Sequence, residues 1–299
     1  MTYTIEKVTT LIGARRFGEH VARIGFILAD SRSLCFPKET LFFALRSERN
    51  DGHHYIPELY RRGVRNFVVT EVPFNRETDY PDANFLKVVD TLEALQRLAE
   101  RHRDEFNIPI VGITGSNGKT MVKEWLNQLL SDDLFVTRSP RSYNSQIGVP
   151  LSVWLLNESS QIGLIEAGIS KVGEMQALHD IILPTVGVLT SLGAAPQENF
   201  LSLEEKCNEK LLLFKGTQAL VYQLDDKIAA KCITAAHYDG QLLAWSEHDT
   251  TAAFYVNSIE KHETTSTINY IWQQTTQGSY TLPFIDDASI SDSITCAVV

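Results

Sequence analysis

The sequence predicts an α/β protein in which a small N-terminal α/β domain precedes a larger, mostly parallel-sheet domain with a phosphate-binding loop and a β-hairpin flank. Three observations carry this prediction. Short runs rich in β-branched residues alternate with helical patterns, one of these runs passes through glycines into a helix, and the end of the chain alternates like antiparallel strands. Near-continuous apolar strands separated by helices are typical of a parallel sheet covered on both faces.

In the first part of the chain, strands are predicted at residues 26–28, 41–45, 66–70 and 85–89, with a helical pattern at 55–62. The last helix of this part begins with Asp90 as N-cap and has Glu93 three residues later, which is the spacing of a capping box. A charged segment then ends in Pro109, and proline stops a helix. We therefore expect two domains, at residues 1–106 and 107–299.

In the second part, strands are predicted at residues 110–114, 134–137, 162–166, 185–190, 219–222 and 242–245, with helices between them. The alternating segments at 253–256, 267–272 and 280–284 predict the β-hairpin flank. In an open parallel sheet, ligands bind at the carboxyl ends of the strands.

Residues 110–120 read I-V-G-I-T-G-S-N-G-K-T, a strand followed by a loop and the start of a helix. Gly115 and Gly118 allow a tight turn whose N–H groups point into one cavity at the helix N-terminus, where an anion is favoured. Lys119 is expected to reach the outer phosphates of ATP, and the Thr120 hydroxyl to bind Mg²⁺. The predicted nucleotide-binding residues are Thr114, Gly115, Ser116, Asn117, Gly118, Lys119 and Thr120.

Composition restricts the class of protein. A net charge of -10 and a pI near 5.3 argue against a nucleic-acid-binding surface, so local donors must hold any anionic ligand. The four cysteines form no C-x-x-C pair. The N-terminus does not resemble a signal peptide, and no apolar run approaches the ~18 residues of a membrane span. We expect a cytoplasmic protein without membrane insertion.

The loop lacks the usual G-x-x-x-x-G-K-[ST] spacing because Ile113 stands where the first glycine would be, and its T-G-x-x-G-K-T form resembles the Mur ligase family. These enzymes are ATP-dependent amino-acid and peptide ligases of cell-wall synthesis. Residues 143–150, Y-N-S-Q-I-G-V-P, are similar to a segment of the member that adds D-alanyl-D-alanine. The resemblance implies joining of D-alanyl-D-alanine to UDP-N-acetylmuramoyl-tripeptide through an acyl phosphate, with Asn144 contacting substrate or phosphate.

The same resemblance implies a catalytic group made of Lys119, Glu166 and Lys210. Glu166 would be a Mg²⁺ ligand, together with Thr120. Lys210, four residues before Phe214, would be carbamylated and offer oxygens to a second Mg²⁺. From the residues alone, a glutamate at a strand end such as Glu166 is more often a surface residue, and Lys210 would be interpreted as a solvated helix lysine beside Glu209.

Two segments of the first domain resemble the UDP-sugar-binding domain of the family. They are A-D-S-R at 29–32 and E-R-N-D-G-H-H at 48–54. Asp30, Ser31, Arg32 and Arg49 are the expected substrate-binding residues, since Ser31 and nearby N–H groups could hold a diphosphate and either arginine could donate forked hydrogen bonds to it. The alternative is that Asp30 and Arg32 form an ordinary surface ion pair.

The chain departs from the family pattern at two places. Pro196 stands where the family has a metal-binding histidine, and residues 288–293 replace a histidine and two asparagines near the adenine. The rival interpretations are a non-catalytic UDP-sugar-binding homologue and a folylpolyglutamate-type ligase. The family also has a third, C-terminal domain, and some members are fused to an alanine racemase. We therefore expect a fragment that is inactive alone.

Overall fold

The computed structural model describes residues 1–193 and 199–299. The chain divides into two compact units, Met1–Phe106 and Asn107–Val299. None of the described helices combines the length and the apolarity that a membrane span needs.

The first unit contains short helices and a five-stranded sheet. Its helices are α1 (Ile5–Leu11), α2 (Ile56–Arg61), α3 (Arg76–Asp79) and α4 (Thr91–Arg103). Its strands are β1 (Tyr3–Thr4), β2 (Arg15–Phe17), β3 (Arg23–Ile24), β4 (Phe26–Leu28), β5 (Thr40–Phe43), β6 (Arg46–Ser47), β7 (Asn50–Asp51), β8 (Asn66–Val69) and β9 (Asn84–Lys87).

The five-stranded sheet has the order β2-β9-β8-β5-β4, with β4, β5, β8 and β9 parallel and β2 antiparallel at the edge. Phe67 and Phe85 stack on neighbouring strands with ring centroids 5.4 Å apart, inside an apolar cluster beside α2. Helix α4 begins as predicted, because the Asp90 side chain accepts hydrogen bonds from the N–H groups of Leu92 and Glu93. Strand β2 was not predicted, since a three-residue strand with two arginines has no apolar alternation.

The second unit contains six helices among its described residues. They are α5 (Lys119–Leu130), α6 (Gly148–Val153), α7 (Met175–Ile182), α8 (Leu203–Leu211), α9 (Lys227–Ala235) and α10 (Asp287–Val298). Its strands are β10 (Ile110–Thr114), β11 (Val136–Arg138), β12 (Ile162–Glu166), β13 (Val186–Leu189), β14 (Ala219–Gln223), β15 (Gln241–Ser246), β16 (Phe254–Lys261), β17 (Ser266–Trp272) and β18 (Thr276–Leu282).

These nine strands form one sheet in the order β11-β12-β10-β13-β14-β15-β16-β17-β18. The pairs from β11 to β16 are parallel, and β17 and β18 continue the sheet in antiparallel pairing. The predicted fold class is confirmed. The expected hairpin is an antiparallel extension of the main sheet, because β16 pairs with β15 as well as with β17.

Close packing fixes the position of α8 against this sheet. After α8 the chain makes a 3₁₀ turn, Leu212–Phe214, and the Phe214 ring lies directly over Gly187 of β13. A Cβ atom at Gly187 would overlap this ring, which is only 1% exposed. The short distance between α8 and the sheet therefore depends on the absence of a side chain at position 187.

We expect Gly187→Ala to destabilise the second unit by about 1–3 kcal/mol, because overpacking forces a buried ring from its position. All four tryptophans lie in this unit, so urea unfolding followed by tryptophan fluorescence reports on it selectively. The double variant Gly187→Ala/Phe214→Leu should lose less stability than the sum of the two single variants, because the smaller side chain relieves the overlap. Simple additivity would contradict the packing argument.

Candidate nucleotide and metal site

The predicted phosphate loop lies between the end of β10 and the start of α5. Gly118 caps α5 with a φ of 83°, and Gly115 has a φ of 151°. A Cβ atom at Gly115 would overlap the Thr190 hydroxyl, so the loop packs directly on the residue that follows β13. Both glycines are needed for conformation and close approach, which is what a loop that presents backbone N–H groups to an anion requires.

Lys119 bends back over the loop that precedes it. Its Nζ donates hydrogen bonds to the carbonyl oxygens of Gly115, at 3.0 Å, and Ser116, at 3.1 Å. Burial lowers the Lys119 pKa, Glu166 acts in the opposite direction, and Lys206 lowers it further. The ammonium is therefore held at the loop by neutral oxygens, which a phosphate can replace with stronger, charge-assisted bonds.

Two more lysines reach this region from α8. Lys210 is 2% exposed, and its Nζ donates to the same Gly115 carbonyl at 2.9 Å. Burial lowers the Lys210 pKa to about 7, with further contributions from the charges of Lys119 and Lys206. Lys206, also 2% exposed, lies one turn earlier on the same face, and burial lowers its pKa too. Lys206 was not predicted from the sequence, although its spacing of four residues from Lys210 places both on one helix face.

Glu166 is the centre of a polar cluster at the end of β12. Its carboxylate is 1% exposed and accepts hydrogen bonds from Thr120 Oγ1, at 2.9 Å, and from Asn144 Nδ2, at 2.7 Å. The structure thus brings together five predicted residues: Lys119, Thr120, Asn144, Glu166 and Lys210. Oxygen atoms of Thr120 and Glu166 lie within hydrogen-bonding distance of each other, and a hydroxyl and a carboxylate are ligands that Mg²⁺ accepts.

Among residues 1–193 and 199–299 there is no group of three His, Cys, Asp or Glu side chains arranged to hold a metal ion. Pro196, where the family has a metal-binding histidine, lies outside the described residues.

A further lysine, Lys123, is completely buried beside Glu166 and was not identified from the sequence. Its Nζ lies 3.6 Å from Glu166 Oε2 and 3.3 Å from Glu124 Oε1. The sequence does not indicate whether this lysine, three residues after Thr120, is buried or exposed, because α5 carries polar residues on more than one face.

Helix α10 brings an acidic side chain to the loop. A Cβ atom at Gly118 would overlap the carboxylate of Asp292. Burial, and to a smaller extent Asp286, raise the Asp292 pKa to about 6. Residues 288–293, which depart from the family pattern, therefore lie on a helix that touches the phosphate loop.

In the first unit, Asp30 and Arg32 form an ion pair of 2.7 Å, with side chains 46% and 87% exposed. Ser31 is 9% exposed, and its carbonyl accepts a hydrogen bond from Arg62. Arg49 is exposed in the turn between β6 and β7. In the part of the chain that the structure describes, these four predicted residues do not form one hydrogen-bonded cluster.

The β6–β7 turn instead has a network that the sequence analysis missed. Arg46 Nε lies 2.9 Å from one Asp51 oxygen, and His53 Nδ1 lies 2.6 Å from the other. His53 Nε2 accepts from the N–H of Thr70. Burial would raise the Asp51 pKa, but the hydrogen bonds from His53 and Arg46 lower it to about 2. Asp51 is therefore a fixed anion that orients two basic side chains.

Comparison with known proteins identifies both parts of the chain. The family described as "Mur ligase middle domain" matches residues 113–299, and "Mur ligase family, catalytic domain" matches residues 23–103. A UDP-N-acetylmuramoyl-tripeptide–D-alanyl-D-alanine ligase of Bacillus subtilis is 30% identical over 247 residues, which cover 78% of this chain and 52% of that protein. The chain thus spans about half the length of this relative.

Solved structures show the same fold. MurF from Acinetobacter baumannii has a TM-score of 0.89 at 22% identity, and the match covers 100% of this chain and 64% of that chain. The MurF ligase of Thermotoga maritima in complex with ADP has a TM-score of 0.76 at 22% identity, covering 96% of this chain and 62% of that chain. The middle-domain match alone extends over more than half of the sequence, and the chain belongs to the Mur ligase family.

Proposed function

We propose that this chain carries the nucleotide site and the UDP-substrate site of an ATP-dependent ligase that joins D-alanyl-D-alanine to UDP-N-acetylmuramoyl-tripeptide. One observation carries the proposal: the phosphate loop, Lys119, Thr120, Glu166 and Asn144 converge at one edge of the parallel sheet. The relatives named for this reaction support the choice of substrates.

The reaction needs an activated carboxylate. Transfer of the γ-phosphoryl group of ATP to the terminal carboxylate of the tripeptide releases ADP and gives an acyl phosphate. The amine of D-alanyl-D-alanine then attacks the acyl carbon, inorganic phosphate leaves with the bonding electrons, and the amine loses a proton. The loop N–H groups and Lys119 would bind the phosphates and offset the charge that develops during transfer. Mg²⁺, held by Thr120 and Glu166, would supply further positive charge to the phosphate oxygens.

The proposal includes carbamylation of Lys210. The neutral lysine amine attacks CO₂, a C–O π bond breaks to give the carboxylate oxygen, and the nitrogen releases one proton to solvent. A pKa lowered to about 7 leaves a large neutral fraction of Lys210 at pH 8. Carbamylation would place a negative charge close to the positive charges of Lys119 and Lys206. Because Pro196 removes one expected ligand of a second metal ion, the carbamate would be a partner of these ammonium groups as well as a metal ligand.

For the first unit we propose that Asp30, Ser31, Arg32 and Arg49 bind the UDP portion of the substrate. Arg32 donates a hydrogen bond to the Asp30 carboxylate, and this contact orients the Arg32 guanidinium group. Arg49 is exposed on a turn that the Asp51 network holds in place. Arg49, and the N–H groups of Arg32 that Asp30 does not bind, would form charge-assisted bonds to a diphosphate.

The nucleotide assignment predicts that Lys119→Ala weakens Mg·ADP binding by roughly ten- to a hundredfold, because hydrogen bonds to charged groups contribute about 1.5–3 kcal/mol. Isothermal titration measures both affinities, and circular dichroism establishes that the variant is folded. Lys231→Ala is the matched control, since it removes an exposed lysine paired with Glu204. Equal affinity in Lys119→Ala and the unaltered protein would refute the role of Lys119.

The carbamate assignment predicts a ¹³C NMR carbamate signal when the protein is held in ¹³C-bicarbonate at pH 8. The signal should decline as the pH falls below about 7, because protonation of Lys210 removes the nucleophilic amine. Lys210→Arg keeps the positive charge and should abolish the signal. Its absence from the unaltered protein at pH 8 would refute carbamylation and leave Lys210 as an unmodified lysine of the phosphate site.

The proposed substrate site predicts that the 299-residue chain binds UDP-N-acetylmuramoyl-tripeptide. We expect that it does not ligate D-alanyl-D-alanine at an appreciable rate. Holding the reactants in attack geometry is worth roughly 7–11 kcal/mol of barrier, and the chain has only about half the length of its relative. Calorimetry with the UDP substrate and chromatography of the ligated product, beside the full-length Bacillus subtilis ligase, would test this.

Slow phosphate release dependent on the UDP substrate is the expected residual activity, since water can reach an acyl phosphate that is not covered. Ligation at the rate of the full-length enzyme would contradict the prediction. Binding of a folate in place of the UDP substrate would favour the folylpolyglutamate-type alternative, and binding of the UDP substrate without Mg·ATP binding would favour a non-catalytic homologue.

A further inference from the structure

Lys123 is a buried cation that lies beside Glu166, whose carboxylate is the candidate metal ligand. Its side chain is 0% exposed, and its ammonium donates to the backbone carbonyl of Arg141. The ammonium lies 3.6 Å from Glu166 Oε2 and 3.3 Å from Glu124 Oε1. Glu124 is in turn 3.1 Å from Arg138. The Glu166 carboxylate therefore has a positive partner before any metal ion reaches it.

The same ammonium holds the segment that carries Asn144. Arg141, whose carbonyl it binds, has a left-handed φ of 48°, a conformation that non-glycine residues seldom adopt without support. At one end of this segment the Ser139 hydroxyl accepts from the Glu166 N–H, and at the other end the Asn144 carbonyl accepts from the Gly168 N–H. Lys123 thus links Glu166 to the middle of a segment whose ends are already attached beside it.

A divalent cation bound at Glu166 Oε2 would share that oxygen with Lys123. Like charges repel strongly at a site from which water is excluded, and both Lys123 and Glu166 are almost wholly buried. The phosphates of a nucleotide supply the negative charge that balances the added cation. A metal ion that binds alone is therefore repelled by Lys123. When a nucleotide binds with it, the phosphates compensate for this repulsion.

We propose that Lys123 is a positioning residue that makes metal binding at Glu166 conditional on the nucleotide. Its ammonium keeps Glu166 and the 139–144 segment in place before the ligand arrives, and it opposes a divalent cation that comes without phosphates. The inference rests on the proposed function, because it takes Thr120 and Glu166 as the metal ligands.

The test measures Mn²⁺ binding to the full 299-residue chain by electron paramagnetic resonance, with and without ADP. Lys123→Gln keeps an N–H donor for the Arg141 carbonyl and removes the charge. It should bind Mn²⁺ alone at least about tenfold more tightly than the unaltered protein. Mn²⁺ affinity in the presence of ADP should stay the same, because the phosphates balance the added cation, so the enhancement of Mn²⁺ affinity by ADP should fall by the same factor. The enhancement of ADP affinity by Mn²⁺ must then fall equally, since coupling between two ligands is reciprocal.

Two controls separate charge from structure. Lys123→Arg keeps the positive charge and should retain weak Mn²⁺ binding in the absence of ADP. Lys231→Gln removes an exposed lysine charge paired with Glu204 and should leave both Mn²⁺ affinities unchanged. A purely structural role predicts the opposite sign for Lys123→Gln, since disordering Glu166 would weaken metal binding.

Unchanged or weaker Mn²⁺ binding by folded Lys123→Gln would overturn the proposal. Should that variant fail to fold, the unaltered protein decides the question, because coupling between Mn²⁺ and ADP of less than about tenfold would also overturn it. Failure of the unaltered protein to bind ADP with Mn²⁺ at all would instead refute the nucleotide site itself.

Discussion

Strand β10 is hydrogen-bonded between β12 and β13, parallel to both, and this pairing fixes the register of the whole nucleotide region. Ile113 lies opposite Glu166 on one side, and Thr114 opposite Leu189 on the other. Parallel strands end at the same edge of a sheet, so Glu166, the phosphate loop and Thr190 meet there without any long connection. A shift of one residue in the β10–β12 pairing would turn the Glu166 side chain to the other face of the sheet.

The electrostatic character of this edge is opposite to that of the chain as a whole. The protein has a net charge of -10, yet Lys119, Lys123, Lys206 and Lys210 all approach the phosphate loop or Glu166. Burial lowers the pKa of Lys119, Lys206 and Lys210, so these three positive charges are costly to hold there. An anion with several charges would offset that cost, which is why a polyphosphate suits this region better than a single carboxylate.

The sequence predicted those parts of the site that depend on local pattern. The loop glycines, Lys119 and Thr120 stand where a strand passes into a helix, and Glu166 stands at the end of an apolar run, so their positions follow from chain order and strand direction. Lys123 and Asp292 could not be predicted in this way. Their roles depend on which face of α5 or α10 is covered by residues distant in sequence, and a lysine or aspartate on a short helix has the same local pattern whether buried or exposed.

The contact of Gly187 with Phe214 has a consequence for how this site can evolve. The ring of Phe214 follows α8 directly, so the contact sets the depth at which the amines of Lys206 and Lys210 enter the nucleotide region. It therefore acts as a spacer for the lysine side chains of this helix, although neither residue carries a polar side chain. In homologous sequences a larger residue at position 187 should be accompanied by a smaller one at position 214, and this pair should covary more tightly than the exposed residues around it.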